Sequence, residues 1–347
     1  MFTRRRFIGQ CCAAVGLTGM SSTLASLRAT AAAASLPSAS SGATDYKALV
    51  CIFLNGGNDA SNLIVPYDSG YAGYASARSL LALPQSNLLP LLPRTADGRS
   101  WALHPGLSDL HSLFGAGRMA LLANVGTLVE PTTKAQYEAK SVRLPPQLFS
   151  HNDQQVQWQS SVPDQPFRTG WGGRTADLVN SLHTNNSVSM SVTLNGFNHL
   201  QVGQSVAQLA INPASDAAPK GGPVVFSGTT GANNATRYET QKTLFGEEQA
   251  NLFSTAFGSL SQDAVSTSEL LGAALASSAT LATAFPNTSL GNQLKAIAHL
   301  ISISASLGLR RQVFFARIGG WDTHADQVDQ PNRYQGAHPD HLRQVSQ

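Results

Sequence analysis

The sequence predicts an α/β protein built on a mostly parallel sheet, and three observations carry that expectation. Ala48–Leu54 is a continuous apolar run that ends in Asn55-Gly56-Gly57, without the polar alternation of a half-exposed strand. Further strands are read at Met119–Val125, Ser187–Leu194 and Gln312–Ile318. Between them lie segments with helical periodicity, so strands and helices alternate along the chain.

Each element follows from its residues. Ala48–Leu54 reads as a strand buried on both faces. Leu107–Phe114 reads as a helix entered through His104-Pro105-Gly106, and Met119–Val125 as a second buried strand. Pro-, Gly- and Ala-rich loops fill 212–235. Leu270–Ala284 suits a helix packed on the sheet. Leu290, Leu294, Ile297, Ile301 and Leu307 fall close to a 3.6-residue period, so 290–307 is an amphipathic helix feeding the last strand. His338 and His341 are expected to face solvent on a final helix.

Composition narrows the function. The chain has 347 residues, 42% hydrophobic and 12% charged, against roughly 25% charged in an ordinary soluble domain. Its formal charge is +3, but Arg4, Arg5, Arg6 and Arg28 lie in residues 1–34, which hold no acid. The remainder is close to neutral, which excludes a nucleic-acid binder as the leading reading. Cys11 and Cys12 fall in the same segment and leave Cys51 alone, so neither a disulfide scaffold nor a cysteine-ligated metal is expected.

Residues 1–34 read as a twin-arginine signal peptide: Arg4-Arg5-Arg6-Phe7-Ile8, an uncharged stretch from Cys11 to Leu27, then small-residue cleavage sites near Ala29–Ala33. The stretch is too short and too rich in Gly and Ser for a permanent span. Export through the Tat translocon to the periplasm is therefore expected. Residues 35–45 form a polar linker, and 46–347 one domain.

Ligands gather at the carboxyl ends of parallel strands, and three polar clusters stand there. After the first strand comes Gly56-Gly57-Asn58-Asp59, where Asp59 offers a carboxylate to a hard cation or caps the next helix. No Gly-Lys-Ser/Thr follows, so this is not a P-loop. Ser150 opens a helix at Pro145–Gln159, as a hydroxyl nucleophile beside an anion-binding terminus or as a plain N-cap. Gly319-Gly320-Trp321-Asp322-Thr323-His324 follows the last strand. Its Asp322-x-His324 pair suits zinc, manganese or iron, although such spacing also arises by chance.

The motifs FLNGGNDASNLIVP, ALHPGL, LLANVG, LFSHNDQQVQWQ, GWGGR and GGWDTH, after a twin-arginine start, occur in an order that resembles a bacterial Tat-exported family catalogued as a domain of unknown function. That family is similar to the alkaline phosphatase–sulfatase superfamily. The resemblance implies a three-layer α/β/α sandwich, a divalent metal at the strand tips held by Asp59, Asp322 and His324, and Ser150 as the nucleophile. It further implies hydrolysis of a small phosphate or sulfate ester. The alternative is a non-catalytic periplasmic module that keeps the fold. The family continues with Ser-Glu-Phe-Gly-Arg and Thr-Asp-His-Gly motifs that this sequence lacks, so the domain is expected to be C-terminally truncated.

Overall fold

A computed structural model describes residues 45–95, 97–183, 187–213, 232–247, 251–329 and 336–347. The segment expected to be a signal peptide, most of the expected linker and most of the 212–235 loop region lie outside the described residues.

Four parallel strands form the main sheet: β1 (Lys47–Leu54), β7 (Arg311–Ile318), β5 (Ser191–Thr193) and β6 (Gln208–Ala210), in that spatial order. β1 and β7 pair along their full length, from Lys47 opposite Arg311 to Leu54 opposite Ile318. Both strands therefore end at the same level. The β5 strand is shorter than its apolar run, but Val188, Met190 and Leu194 on either side are fully buried.

Helices cover both faces of the sheet. Alternate β7 residues point to opposite sides. Phe314 and Ala316 pack into a core with α7 (Leu252–Ala276) and α8 (Ser289–Ser302), through Leu271, Leu275, Ile297 and Leu300. Val313 meets Ala176 of α5 (Trp171–Val179) together with Leu49 and Met190. Two buried glutamines fix the layers. Gln201 donates to the Val192 and Val313 carbonyls at 3.0 and 2.9 Å. Gln293 of α8 donates to the Arg317 carbonyl and accepts from its N–H, both at 2.9 Å.

The α/β expectation holds, with local corrections. β7 is buried on both faces, whereas β1 alternates because the α7–α8 layer that covers Phe314 and Ala316 leaves their partners Val50 and Ile52 uncovered. Val50 and Ile52 stay more than a third exposed. Met119–Val125 is not a strand. It leaves α2 (Ser108–Gly115) through a turn at Gly117 (φ 71°) and runs as extended chain, with Leu122 84% exposed. An apolar run specifies burial only where a neighbouring strand offers a ladder, and none of the described strands lies beside it. The 290–307 helix stops at Ser302, and the 270–284 helix is the last two turns of α7.

A second sheet of β2 (Ile64–Pro66), β4 (Trp101–Leu103) and β3 (Leu89–Pro90) is antiparallel, with β4 central. Leu91, Leu103 and Leu107 pack with Ile318 and Trp321 at the end of β7, and with Leu342 of α9 (Ala337–Ser346). This core sits directly behind the loops that leave β1 and β7. Among the described residues no helix is long and apolar enough to cross a membrane.

Candidate functional site

Because β1 and β7 are parallel neighbours in register, the loops after them emerge side by side. Asn55 N–H continues the ladder to the Ile318 carbonyl at 2.8 Å. The first Gly-Gly turn then meets the Trp321–Asp322 backbone of the second loop. Gly56 has φ 137°, and a Cβ there would lie 2.9 Å from the Asp322 nitrogen. Only glycine permits both that backbone and that approach.

Trp321 anchors the second loop. It is fully buried and donates its indole N–H to the Ile318 carbonyl at 3.1 Å. With the ring fixed inward, Asp322 next to it is half exposed at the sheet tip. His324 has φ 44°, a left-handed conformation that is costly for a residue with a Cβ. Such strain concentrates at functional positions. It sets His324 Nε2 3.1 Å from Asp322 Oδ2.

A third chain segment reaches the same carboxylate. Ser150 is the N-cap of α4 (His151–Ser160), and its Oγ accepts from Asp153 N–H at 3.4 Å. His151, the first helical residue, has Nδ1 4.0 Å from Asp322 Oδ2. Its Cε1 lies 3.8 Å from where a Cβ on Gly57 would stand. The His151 ring therefore stands against the Gly57 backbone at ordinary contact distance. His151, Asp322 and His324 are all exposed, at 54%, 49% and 79% of the side chain.

Asp59 is placed differently. It precedes a short 3-10 turn, Ala60–Asn62, without capping it through its side chain. Its carboxylate is held by the Arg78 guanidinium, from the end of α1 (Tyr71–Arg78), and by the Gln327 amide. The Asp59 side chain is only 11% exposed. Asp322 and His324 are therefore brought together, His151 joins them, and Asp59 is engaged by a cation of the protein itself. Among the described residues no three His, Cys, Asp or Glu side chains form a ready-made metal-binding group.

Beneath the rim lies a buried polar layer that the sequence did not suggest. His338 of α9 is 1% exposed rather than facing solvent, and its Nε2 meets Asn58 Oδ1 at 3.2 Å. Its ring packs edge-on against Trp321 and His104 at centroid distances of 5.6 and 6.0 Å. The helix turns His338 inward because Leu342, four residues on, occupies the core on the same face. His341 packs on Trp321 at 5.2 Å. His104 Nδ1 accepts from Gly106 N–H at 2.8 Å. Burial pushes its pKa down to about 3, and burial also lowers that of His338. Cys51, the one cysteine among the described residues, is half-buried in β1, and burial pushes its thiol up to about 11, away from a reactive thiolate.

Of the residues the sequence did not single out, His151 alone had a local signal, its place directly after Ser150 at a helix start. The roles of Arg78, Gln327 and His338 come from segments brought together by folding. Compared with protein-family models, with curated proteins and with solved structures, the chain matches none. The fold and the site define the class to which it belongs: an α/β protein with a parallel sheet and a polar cluster at the strand tips.

Proposed function

We propose that the chain is an exported, metal-dependent hydrolase of small phosphate or sulfate esters, with an alkaline phosphatase-like arrangement at the strand tips. The observation that carries this reading is the Asp322 carboxylate, which has imidazoles from two different segments, His151 and His324, within 4.0 Å of one oxygen. One carboxylate and two imidazoles are the donor set that zinc or manganese takes. Asp322 and His324 would hold the ion, with His151 as the third donor. The metal would polarise the ester and lower the pKa of the attacking group.

Ser150 is the proposed nucleophile. Its Oγ attacks the phosphorus or sulfur and the alcohol departs; water then releases the anion. The N–H groups of His151 and Asn152, which open α4 and have no partner within the helix, would face the anion. Asp59 anchors the post-β1 loop through Arg78 and Gln327, and becomes a ligand only in exchange for the Arg78 contact. The twin-arginine segment supports passage through the Tat translocon to the periplasm, and the near-neutral remainder of the chain suits no nucleic-acid partner.

A second reading, a non-catalytic exported binding module, is favoured by one observation: Ser150 Oγ is used as an N-cap toward Asp153 N–H. Turnover of 4-nitrophenyl phosphate and 4-nitrophenyl sulfate, with zinc or manganese supplied, separates the two. Hydrolysis that falls about 1000-fold or more in Ser150→Ala supports the hydrolase. No turnover of either ester under any metal or pH condition would contradict it and leave the binding module.

A further inference from the structure

Helices α6 (Ala232–Gly246) and α7 form a hairpin whose outer end carries an apolar surface unrelated to the strand-tip site. α7 divides into two halves. Val265, Leu271 and Leu275 are buried, and Thr267 is tied to the Ser187 carbonyl at 2.9 Å. Leu252, Phe253, Phe257 and Leu260, on the first turns, are 65–84% exposed, and Leu244 of α6 is 53% exposed. Leu252, Phe253, Ala256, Phe257 and Leu260 fall at i, i+1, i+4, i+5 and i+8, a single stripe on one helix face. The stretch from Leu252 to Gln262 has no charge at all. A cavity of about 400 Å³ opens beside it, lined by Leu244, Phe245, Phe253, Ser254, Phe257 and Gly258. Gly258 creates that shape, because a Cβ there would stand 2.7 Å from the Phe245 carbonyl oxygen.

We propose that this hairpin end is the interface of a homodimer, in which the α6–α7 hairpins of two copies pack as a four-helix bundle. Three observations select a second copy as the occupant. The first is area: at about 200 Å² for a fully exposed large apolar side chain, the five residues leave roughly 700 Å² open. That is more than a typical monomer's largest patch and close to the ~800 Å² per partner of a stable interface.

The second is charge. Lys242 is bound between Glu239 and Glu269 at 3.5 and 3.0 Å, and Tyr238 OH donates to Glu269 at 2.9 Å. These charges are engaged within the hairpin, and the stripe from Leu252 to Gln262 carries none, so the apolar patch itself offers a partner no charge to pair with. It also lacks the row of basic residues that flanks the apolar face of a membrane-surface helix. The third is shape: protruding Leu252 and Leu260 and a cavity occupy one surface, and a two-fold axis brings such a knob and hole together twice.

Sedimentation velocity on the full chain, across a wide concentration range, tests the proposal. The wild type should show a monomer–dimer equilibrium. Phe253→Glu/Phe257→Glu should raise the dissociation constant at least ~30-fold while the monomer keeps its far-UV circular dichroism spectrum. Leu252→Lys/Leu260→Lys should do the same, which guards against a fold defect in the first variant. A wild type that stays monomeric at every concentration would overturn the proposal, as would a dimer unaffected by both variants. Flotation of a monomeric wild type with phosphatidylcholine vesicles, lost in the variants, would assign the surface to a membrane instead.

Discussion

His338 Nε2 meets Asn58 Oδ1 at 3.2 Å, so the C-terminal helix is tied to the loop leaving the first strand. His338 also packs on Trp321 and His104. One buried imidazole thereby supports both loops of the proposed site from behind.

That support should be sensitive to acid. His104 and His338 are each 1% exposed, and both pKa values are depressed below the ordinary 6.5, that of His104 to about 3. Arg343, Arg78 and His341 add positive charge nearby, while Asp59 opposes them at His338. At these two sites the unfolded chain takes up its protons as pH falls below 6.5, before the folded chain does. Stability is therefore full above about pH 6.5 and falls as pH drops, by about 1.4 kcal/mol per pH unit for His104 down to about pH 3, with His338 adding to the loss in the same direction. Urea unfolding at pH 8, 6, 5 and 4 checks this. His104→Asn, which keeps an acceptor near Gly106, should flatten the slope.

The Arg78–Asp59 pair should be strongly coupled. Both side chains are more than two-thirds buried, and Arg78→Met would leave the Asp59 carboxylate with only the Gln327 amide. The loss should be about 3 kcal/mol, and Asp59→Asn/Arg78→Met should recover part of it. A double-mutant cycle by chemical denaturation reads the coupling.

Gly56→Ala should destabilise the fold by roughly 2–4 kcal/mol, because φ 137° and a backbone nitrogen 2.9 Å away oppose the new methyl together. Thermal unfolding measures the loss. Gly98, with nothing within 4 Å of its Cβ position, is the control, since Gly98→Ala carries only the strain of its own φ of 81°.

The left-handed backbone of His324 gives a prediction of opposite sign. His324→Gly should be about 1 kcal/mol more stable than His324→Ala, because glycine removes the left-handed penalty. Both should lose any metal bound through the imidazole. Melting temperatures of the two variants test the first half.

The parallel strands were legible in the sequence because β1 and β7 carry their signal locally, as apolar runs closed by Gly-Gly. Met119–Val125 has the same local signal without the structure, because pairing depends on a neighbour that periodicity does not name. Asp322 and His324 were legible as a pair, two residues apart on one loop. The Asp59–Arg78 ion pair was not, since α1 has no feature that marks Arg78 as the cation for a strand-tip carboxylate. His338 was misplaced to the surface because a histidine beside Pro339 and Asp340 looks solvated until Leu342 fixes which face of α9 turns inward.

The most direct measurement is calorimetric titration of zinc and of manganese into the metal-stripped protein. One equivalent should bind to the wild type, with affinity reduced at least ~10-fold in each of Asp322→Asn, His324→Ala and His151→Ala and the fold intact. Absence of binding, or binding unchanged in all three variants, would contradict a metal centre at the tips of β1 and β7.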